Sequence, residues 1–414
     1  MSAEALRRLM GVYADEAERC IRCGFCNSVC PTTLTSIGYS PSRTSRGRLV
    51  MLQSALSIGR PDPFSPKLKE LIDLCIGCMR CVKVCPAGIP IPHVNAGFRA
   101  AYNAYLGGGV GWAERLLAGF DDLAETVGGS PLLRRLLLNS VSIGLLKGFF
   151  GLSRDAPIPT PESRSLDQHL SGLKTVGYEL YAYFADTYAR YLRPSIGLDA
   201  RRLLNMAGIE LYMPKQRGSG IIQFELGLWD RLKVLASANV ESLYQEALKG
   251  RRIVCTSPAS TMMLREIYPR ILPSEESERV SEAVIDINEL LYELVSNGRL
   301  TGLRVKGSYT LHSSCLSQHL GLTEKVRSLL ETLGARIDGV RTECCGSGGA
   351  WGMLRKNRRL SVEIGSRLVE RLAGKVLSYS ETCSEQIKSL SRGRVEVYLP
   401  HQAIVRSQQV SPSN

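Results

Sequence analysis

Two short strings concentrate the reactive side chains of this protein. CIRCGFCNSVCP runs from Cys20 to Pro31, and CIGCMRCVKVCP from Cys75 to Pro86. Both have the spacing C-x2-C-x2-C-x3-C-P. Three thiolates at intervals of three wrap a tight loop around one iron–sulfur cube. The fourth is carried onward and, in two-cluster proteins, ligates the neighbouring cube. The spacing therefore predicts two [4Fe–4S] clusters. Cluster one takes Cys20, Cys23, Cys26 and Cys85, and cluster two takes Cys75, Cys78, Cys81 and Cys30. Pro31 and Pro86 turn the chain after the last ligand and offer no N–H. Gly24 and Gly77 let the backbone approach sulfur. Zinc also favours C-x2-C pairs, but its sites separate two pairs by a longer loop.

A second set of thiols lies far downstream: Cys315 in LHSSC, Cys344 and Cys345 in ECCGSGGAWG, and Cys383 in SETCSEQI. Thiolates select soft metals, so four brought together predict a third iron–sulfur site or a zinc or copper site. Adjacent cysteines fit a regular cube poorly, and a non-cubane geometry is expected. Gly346, Gly348 and Gly349 would give a bulky inorganic core access to the backbone. Cys255 sits on a strand pattern and reads as packing. His312, beside the Cys315 loop, is a secondary candidate. His93 and His401 read as structural, and His169 and His319 carry no signal.

The elements that must hold these residues fall into regions. Residues 1–107 carry both cysteine strings, with the helix-patterned RGRLVMLQSALSIG and SPKLKELIDL between them, which predicts a mostly helical two-cluster domain. Residues 108–193 read as a helical connecting region. Within it, LLRRLLLNSVSIGLLKGFFG is either a core or contact helix or one lying on a membrane surface. Residues 194–414 alternate β-like runs (IELYMP, RRIVCT, RVKGSYTLH, KVLSYS, VEVYLP) with helices such as DRLKVLASANVESLYQEALKG, EKVRSLLETLG and RLSVEIGSRLVERLAG, which argues an α/β architecture. RRIVCTSPASTMMLREIYP echoes KVLSYSETCSEQIKSL, so two related units are expected, over 194–283 and 284–414.

Composition narrows the function classes. The chain has 414 residues, 44% of them hydrophobic, enough for two or three domains. Its thirteen cysteines, mostly in C-x-x-C spacing, argue against a secreted disulfide framework. The N-terminus lacks the pattern of a signal peptide, and no uncharged stretch reaches the length of a membrane span. A cytoplasmic location is expected. The net charge of +13 is scattered, without the basic–aromatic pattern of a nucleic-acid binder.

The second cysteine set resembles the cysteine-rich CCG domain of the iron–sulfur oxidoreductase superfamily. That superfamily includes the D and B subunits of heterodisulfide reductase, glycolate oxidase iron–sulfur subunits, lactate-utilisation proteins and the C subunit of anaerobic glycerol-3-phosphate dehydrogenase. SRTSRGRLVMLQSAL looks like the family's S-P-R-G-R element, LHSSC like H-D-P-C, and ECCGSGGAWG like the CCG element. SYSETCSEQI looks like the final C-x-x-C element, with Ser380 at its first cysteine. In the first unit, Ser260 and the string QRGSG (Gln216 to Gly220) stand where the family has cysteines, so that unit reads as degenerate and metal-free. The resemblance implies an electron-transfer subunit working with a flavoprotein dehydrogenase or reductase of the glycolate, lactate or glycerol-3-phosphate type, passing electrons to a quinone at the membrane or to another carrier. The alternative it implies is a thiol–disulfide reductase of the heterodisulfide kind. No nucleotide-binding glycine loop is present.

Overall fold

The computed structural model describes residues 3–37, 40–107, 111–129, 144, 147–149, 151–171, 173 and 177–409. Its N-terminal part is helical: α1 (Ala3–Met10), α2 (Val12–Glu18), α3 (Ser45–Ile58), α4 (Pro66–Asp73) and α5 (Ile91–Tyr105). Local chemistry sets the ends. The Thr44 hydroxyl accepts from Gly47 N–H at the start of α3, and Gly59 closes that helix in the left-handed region. Ser65 caps α4, and Pro66 takes the first helical position, where its missing N–H costs nothing. α3 and α4 are the insert between the cysteine strings. With α1 and α5 they bury Leu6, Leu49, Leu52, Leu68, Ile72 and Phe98, each worth roughly 1.5–3 kcal/mol of apolar transfer. Cys26 and Cys81, one from each cysteine string, are buried in this same core.

The rest of the chain is α/β, with two four-stranded parallel sheets. The first has the order β2–β1–β3–β4, from β1 (Glu179–Phe184), β2 (Ile209–Tyr212), β3 (Ile253–Cys255) and β4 (Val284–Asp286). The second repeats that order as β6–β5–β7–β8, from β5 (Ser308–His312), β6 (Arg336–Arg341), β7 (Gly374–Ser378) and β8 (Val395–Tyr398). Crossover helices include α6 (Trp229–Leu248), α7 (Leu322–Thr332), α8 (Arg358–Val369) and α9 (Glu381–Ser391). One continuous core joins Tyr183, Val254 and Ile285 of the first sheet to Tyr309, Leu311 and Leu377 of the second.

The five strands read from sequence are all present, and three more appear. β1 lies inside the stretch read as helical; its ELYAYF is aromatic-rich and turns from exposed to buried as it enters the sheet. β4 is three residues long and follows a helix directly, too short to show a period. β6 is an edge strand, RIDGVR, whose charges and glycine hide its alternation. The stretch LLRRLLLNSVSIGLLKGFFG falls largely outside the described residues. Among the described residues, no helix is long and apolar enough to cross a membrane.

Candidate metal centres

The first cysteine loop folds back on the end of the second. Cys20, Cys23, Cys26 and Cys85 line one small cavity with Gly24, Arg46, Leu49 and Ile91. Gly24 sits at φ +87°, and a Cβ there would meet the Arg46 side chain at 3.3 Å. The left-handed glycine and its neighbours leave the backbone open around this cavity. Burial pushes the Cys20 and Cys26 thiols up, so a metal must displace their protons.

Three of the remaining thiols, those of Cys30, Cys75 and Cys81, face Arg48. This residue is almost wholly buried in α3. Its Nη2 donates to Cys30 Sγ at 3.4 Å and its Nη1 to the Arg43 carbonyl at 3.0 Å, while Nε has no partner. Among the described residues no carboxylate pairs with it, and the titratable groups that face it are the thiols of Cys30, Cys75 and Cys81. A buried, unpaired guanidinium costs several kcal/mol. A thiolate-bound, negatively charged cluster at these cysteines supplies the missing counter-charge, so the donor set fits.

Cys78 leans the other way. Its thiol is within hydrogen-bond reach of Cys315 and Cys344, and these side chains pack together with Ile76, Ile364 and Trp351. Thiol donation from Cys315, then from Cys78, pulls Cys344 down to about 5. Next to it, Cys345 Sγ lies 3.0 Å from Cys383 Sγ. The four downstream cysteines thus converge in two pairs, and Cys78 connects them to the second string. The loops interlock by close approach. Gly348 has φ +52°, and a Cβ there would sit 2.8 Å from the Ile76 carbonyl oxygen. Trp351 Nε1 donates to the Asp73 carbonyl at 2.7 Å. Among the described residues, no three His, Cys, Asp or Glu side chains converge as a single metal ion requires.

His312 is a brace. Its Nδ1 accepts from Ser378 Oγ at 2.9 Å, and its Nε2 donates to the Glu343 carbonyl at 3.2 Å. It ties β5 to β7 and to the residue before Cys344, and burial pushes it down to about 4, so it is neutral. His401 is likewise buried, against the Ile196 carbonyl at 3.2 Å.

The first unit repeats the layout without cysteines at the corresponding loop positions. Its QRGSG loop follows β2 as CCGSG follows β6, and Ser260 stands beyond β3 as Cys383 stands beyond β7. Thr187 stands beyond β1 as Cys315 stands beyond β5. These side chains are used for packing. Gln216 donates to the Tyr183 carbonyl at 3.0 Å, Arg217 pairs with Glu125 at 2.9 Å, and Thr187 donates to Asp121 at 2.5 Å. Cys255 is fully buried at the end of β3. Sequence reading missed Arg48, Thr187 and the reach of Cys78. Only the buried side of α3 hinted at the first.

Two cysteine loops on a helical core resemble one class, the iron–sulfur proteins with paired cysteine loops. Residues 16–89 match the family model of a 4Fe-4S dicluster domain. Within that class the chain is similar to iron–sulfur oxidoreductase subunits. It is 27% identical over 225 residues to the C subunit of anaerobic glycerol-3-phosphate dehydrogenase from Escherichia coli (strain K12), covering 52% of this chain and 56% of that relative. The chain thus matches little more than half the length of that protein. The glycolate oxidase iron-sulfur subunit of the same strain is 23% identical over 88% of this chain and 90% of its own. The D subunit of dihydromethanophenazine:CoB--CoM heterodisulfide reductase from Methanosarcina barkeri (strain Fusaro / DSM 804) is 24% identical over 94% of this chain and 91% of its own.

Proposed function

We propose that the protein is an electron-transfer subunit with three iron–sulfur centres in series. Cys20, Cys23, Cys26 and Cys85 hold the first [4Fe–4S] cluster, and Cys75, Cys78, Cys81 and Cys30 the second. Cys315, Cys344, Cys345 and Cys383 hold a third iron–sulfur centre, of non-cubane geometry, in the second CCG-type unit, the one built on β5 to β8. The unit before it, built on β1 to β4, is degenerate and metal-free. Residues 1–107 form the cluster domain; the connecting stretch that follows ends before β1 (Glu179–Phe184), and β4 (Val284–Asp286) belongs to the first unit's sheet. Bound in place, these clusters accept and release single electrons. The protein's own part is to space them, exclude water and supply counter-charge.

One observation carries this reading: Cys78, from the second string, reaches Cys315 and Cys344 of the downstream set. A centre at each cysteine set would then be adjacent to the next. The sequence has no dinucleotide fingerprint, so two-electron chemistry belongs to a partner. By analogy with the relatives, that partner is a flavoprotein dehydrogenase or reductase, of glycolate, lactate or glycerol-3-phosphate type. The carrier on the other side is a quinone or another acceptor, met on the cytoplasmic face of a membrane. Anaerobic co-purification from the native cell tests this. A bound flavoprotein whose substrate bleaches the clusters supports it. A chain isolated without one, whose clusters no flavoprotein substrate reduces, contradicts it.

The second reading is a disulfide reductase of the heterodisulfide kind. The 3.0 Å approach of Cys345 to Cys383 and the length of the match to the heterodisulfide reductase relative favour it. The absence of cysteines from the first unit's corresponding loops weighs against it. Turnover of a disulfide by the isolated chain with reduced viologen would establish it over the first.

A further inference from the structure

The two cysteine loops share a backbone and differ in what covers them. CIRCGFC aligns on CIGCMRC position by position. Both turn twice into the left-handed region, at Arg22 (φ +60°) and Gly24 (φ +87°) in the first and at Gly77 (φ +72°) and Met79 (φ +55°) in the second. Equivalent residues therefore form equivalent faces. In the second loop that face is covered by the second α/β unit. Ile76 is 4% exposed and packs with Cys344 and Ile364, Cys78 reaches Cys315 and Cys344, and Arg80 donates to the Thr342 carbonyl. In the first loop the same face is bare among the described residues. Ile21 is 67% exposed, and Phe25, the counterpart of Arg80, is 61% exposed. Of the thirteen cysteines, all among the described residues, Cys23 alone is exposed. Ile21 also lines the cavity formed by Cys20, Cys23, Cys26 and Cys85. The bare face thus adjoins the site of the first cluster.

Its charge has one sign. From Arg19 to Pro61 the chain carries six arginines and no Asp or Glu. The acids just before, Glu16 and Glu18, are engaged by Arg19 at 2.8 Å and by Arg7 at 3.0 Å. Arg22 is exposed, and its Nε donates to Gln53 Oε1 at 3.2 Å. Among the described residues no carboxylate pairs with it. Its left-handed backbone disfavours any side chain, and the second loop has glycine at that position. A guanidinium needed only to balance the cluster's charge could sit, like Arg46, on an unstrained helix. The strained position puts this one beside the exposed Cys23 instead.

We propose that the face of Ile21, Arg22, Cys23 and Phe25 docks the flavoprotein partner, which covers it with an apolar patch carrying a carboxylate for Arg22. The proposal rests on the electron-transfer reading and names where the partner meets this chain. Two observations choose the occupant. The equivalent face of the second loop already carries a cysteine-bearing unit of the same chain, and the acid-free surroundings select an acidic surface. An anionic bilayer would also suit apolar and basic side chains, but it brings no flavin to Cys23. The partner's reduced flavin gives up two electrons in two single transfers and two protons to solvent, becoming oxidised flavin. The centre at Cys20, Cys23, Cys26 and Cys85 takes each electron and passes it on before the next. No bond between the proteins forms or breaks.

The test uses the cluster-loaded full chain under anaerobic conditions, with flavodoxin, an acidic protein carrying one flavin, as the probe. Calorimetry at low salt should show one flavodoxin per chain, with affinity falling as salt rises. Arg22→Gly copies the second loop. It should bind about tenfold more weakly, yet unfold at or above the parent's temperature because the backbone strain is relieved. Phe25→Ser should weaken binding to a similar degree and stands in if the first variant loses its cluster. Arg336→Gln, an equal loss of charge on the exposed edge strand β6, should bind as the parent does. Stopped-flow reduction by flavodoxin hydroquinone should follow the same order. No binding by the parent, or equal binding by parent, Arg22→Gly and Phe25→Ser, would overturn the proposal. So would a parent that ignores flavodoxin but binds phosphatidylglycerol vesicles through Phe25. Failure of the electron-transfer reading is separable: a first cluster that dithionite cannot reduce would leave the calorimetric comparison intact.

Discussion

The two α/β units share a strand order and part ways in chemistry. In the second, the loops after β5, β6 and β7 bring Cys315, Cys344, Cys345 and Cys383 together beside Cys78. In the first, Thr187, Gln216, Arg217 and Ser260 occupy the corresponding loops; Thr187 and Arg217 spend their polar groups on the helix Phe120–Gly129, and Gln216 on the sheet. The parallel sheet gathers loops at the carboxyl ends of its strands, whatever they carry. Side-chain chemistry then decides between a metal centre and a packed interface. The scaffold alone therefore does not make the site.

The comparison can be broken most sharply at its feed. Cys30→Ser should remove about four iron atoms per chain, belonging to the second cluster, and leave the first cluster's spectrum unchanged. Cross-ligation fails if the first cluster is lost instead. Arg48→Gln removes the buried counter-charge facing Cys30, Cys75 and Cys81. Its second cluster should become harder to reduce by at least tenfold in equilibrium, about 59 mV for one electron, and Arg48→Lys should shift less. Potentiometric titration followed by spin resonance reads this, and an unmoved midpoint would remove Arg48 from the account. The paired loops give a third test. Gly348→Ala drives a Cβ against the Ile76 backbone at φ +52°, whereas Gly220→Ala at φ +77° meets the movable tip of Leu232. The first should cost about 3 kcal/mol and the second about 1 kcal/mol, as thermal unfolding would show; equal losses would mean the second unit's loop is no more tightly seated. A further effect is one of pH. Burial holds His401 at about 4 against an ordinary 6.5. Its contribution is present above pH 6.5 and lost as pH falls towards 4, on the order of 3 kcal/mol. His401→Gln should flatten that part of the stability profile, and an unchanged slope would contradict the assignment.

Much of this was legible in the residues. Dense C-x-x-C spacing leaves few chemical readings, and the Cys-Cys-Gly string stands out in any context. Five strands were visible because their apolar runs are bounded by charges or turns. β4 and β6 were not, one for shortness and the other because an edge strand tolerates RIDGVR. β1 hid in a segment whose other signals are helical. The connection from Cys78 to Cys315 and Cys344 and the isolation of Arg48 are tertiary facts. They join residues from tens to hundreds of positions apart, and no local pattern encodes them.

Iron and acid-labile sulfide analysis of anaerobically prepared protein tests the central claim most directly, run beside a Cys344→Ser/Cys345→Ser variant. With a four-iron third centre, the parent should hold about twelve iron atoms per chain and the variant about eight. Eight or fewer in the parent, with no loss in the variant, would mean that the second unit is as empty of iron as the first.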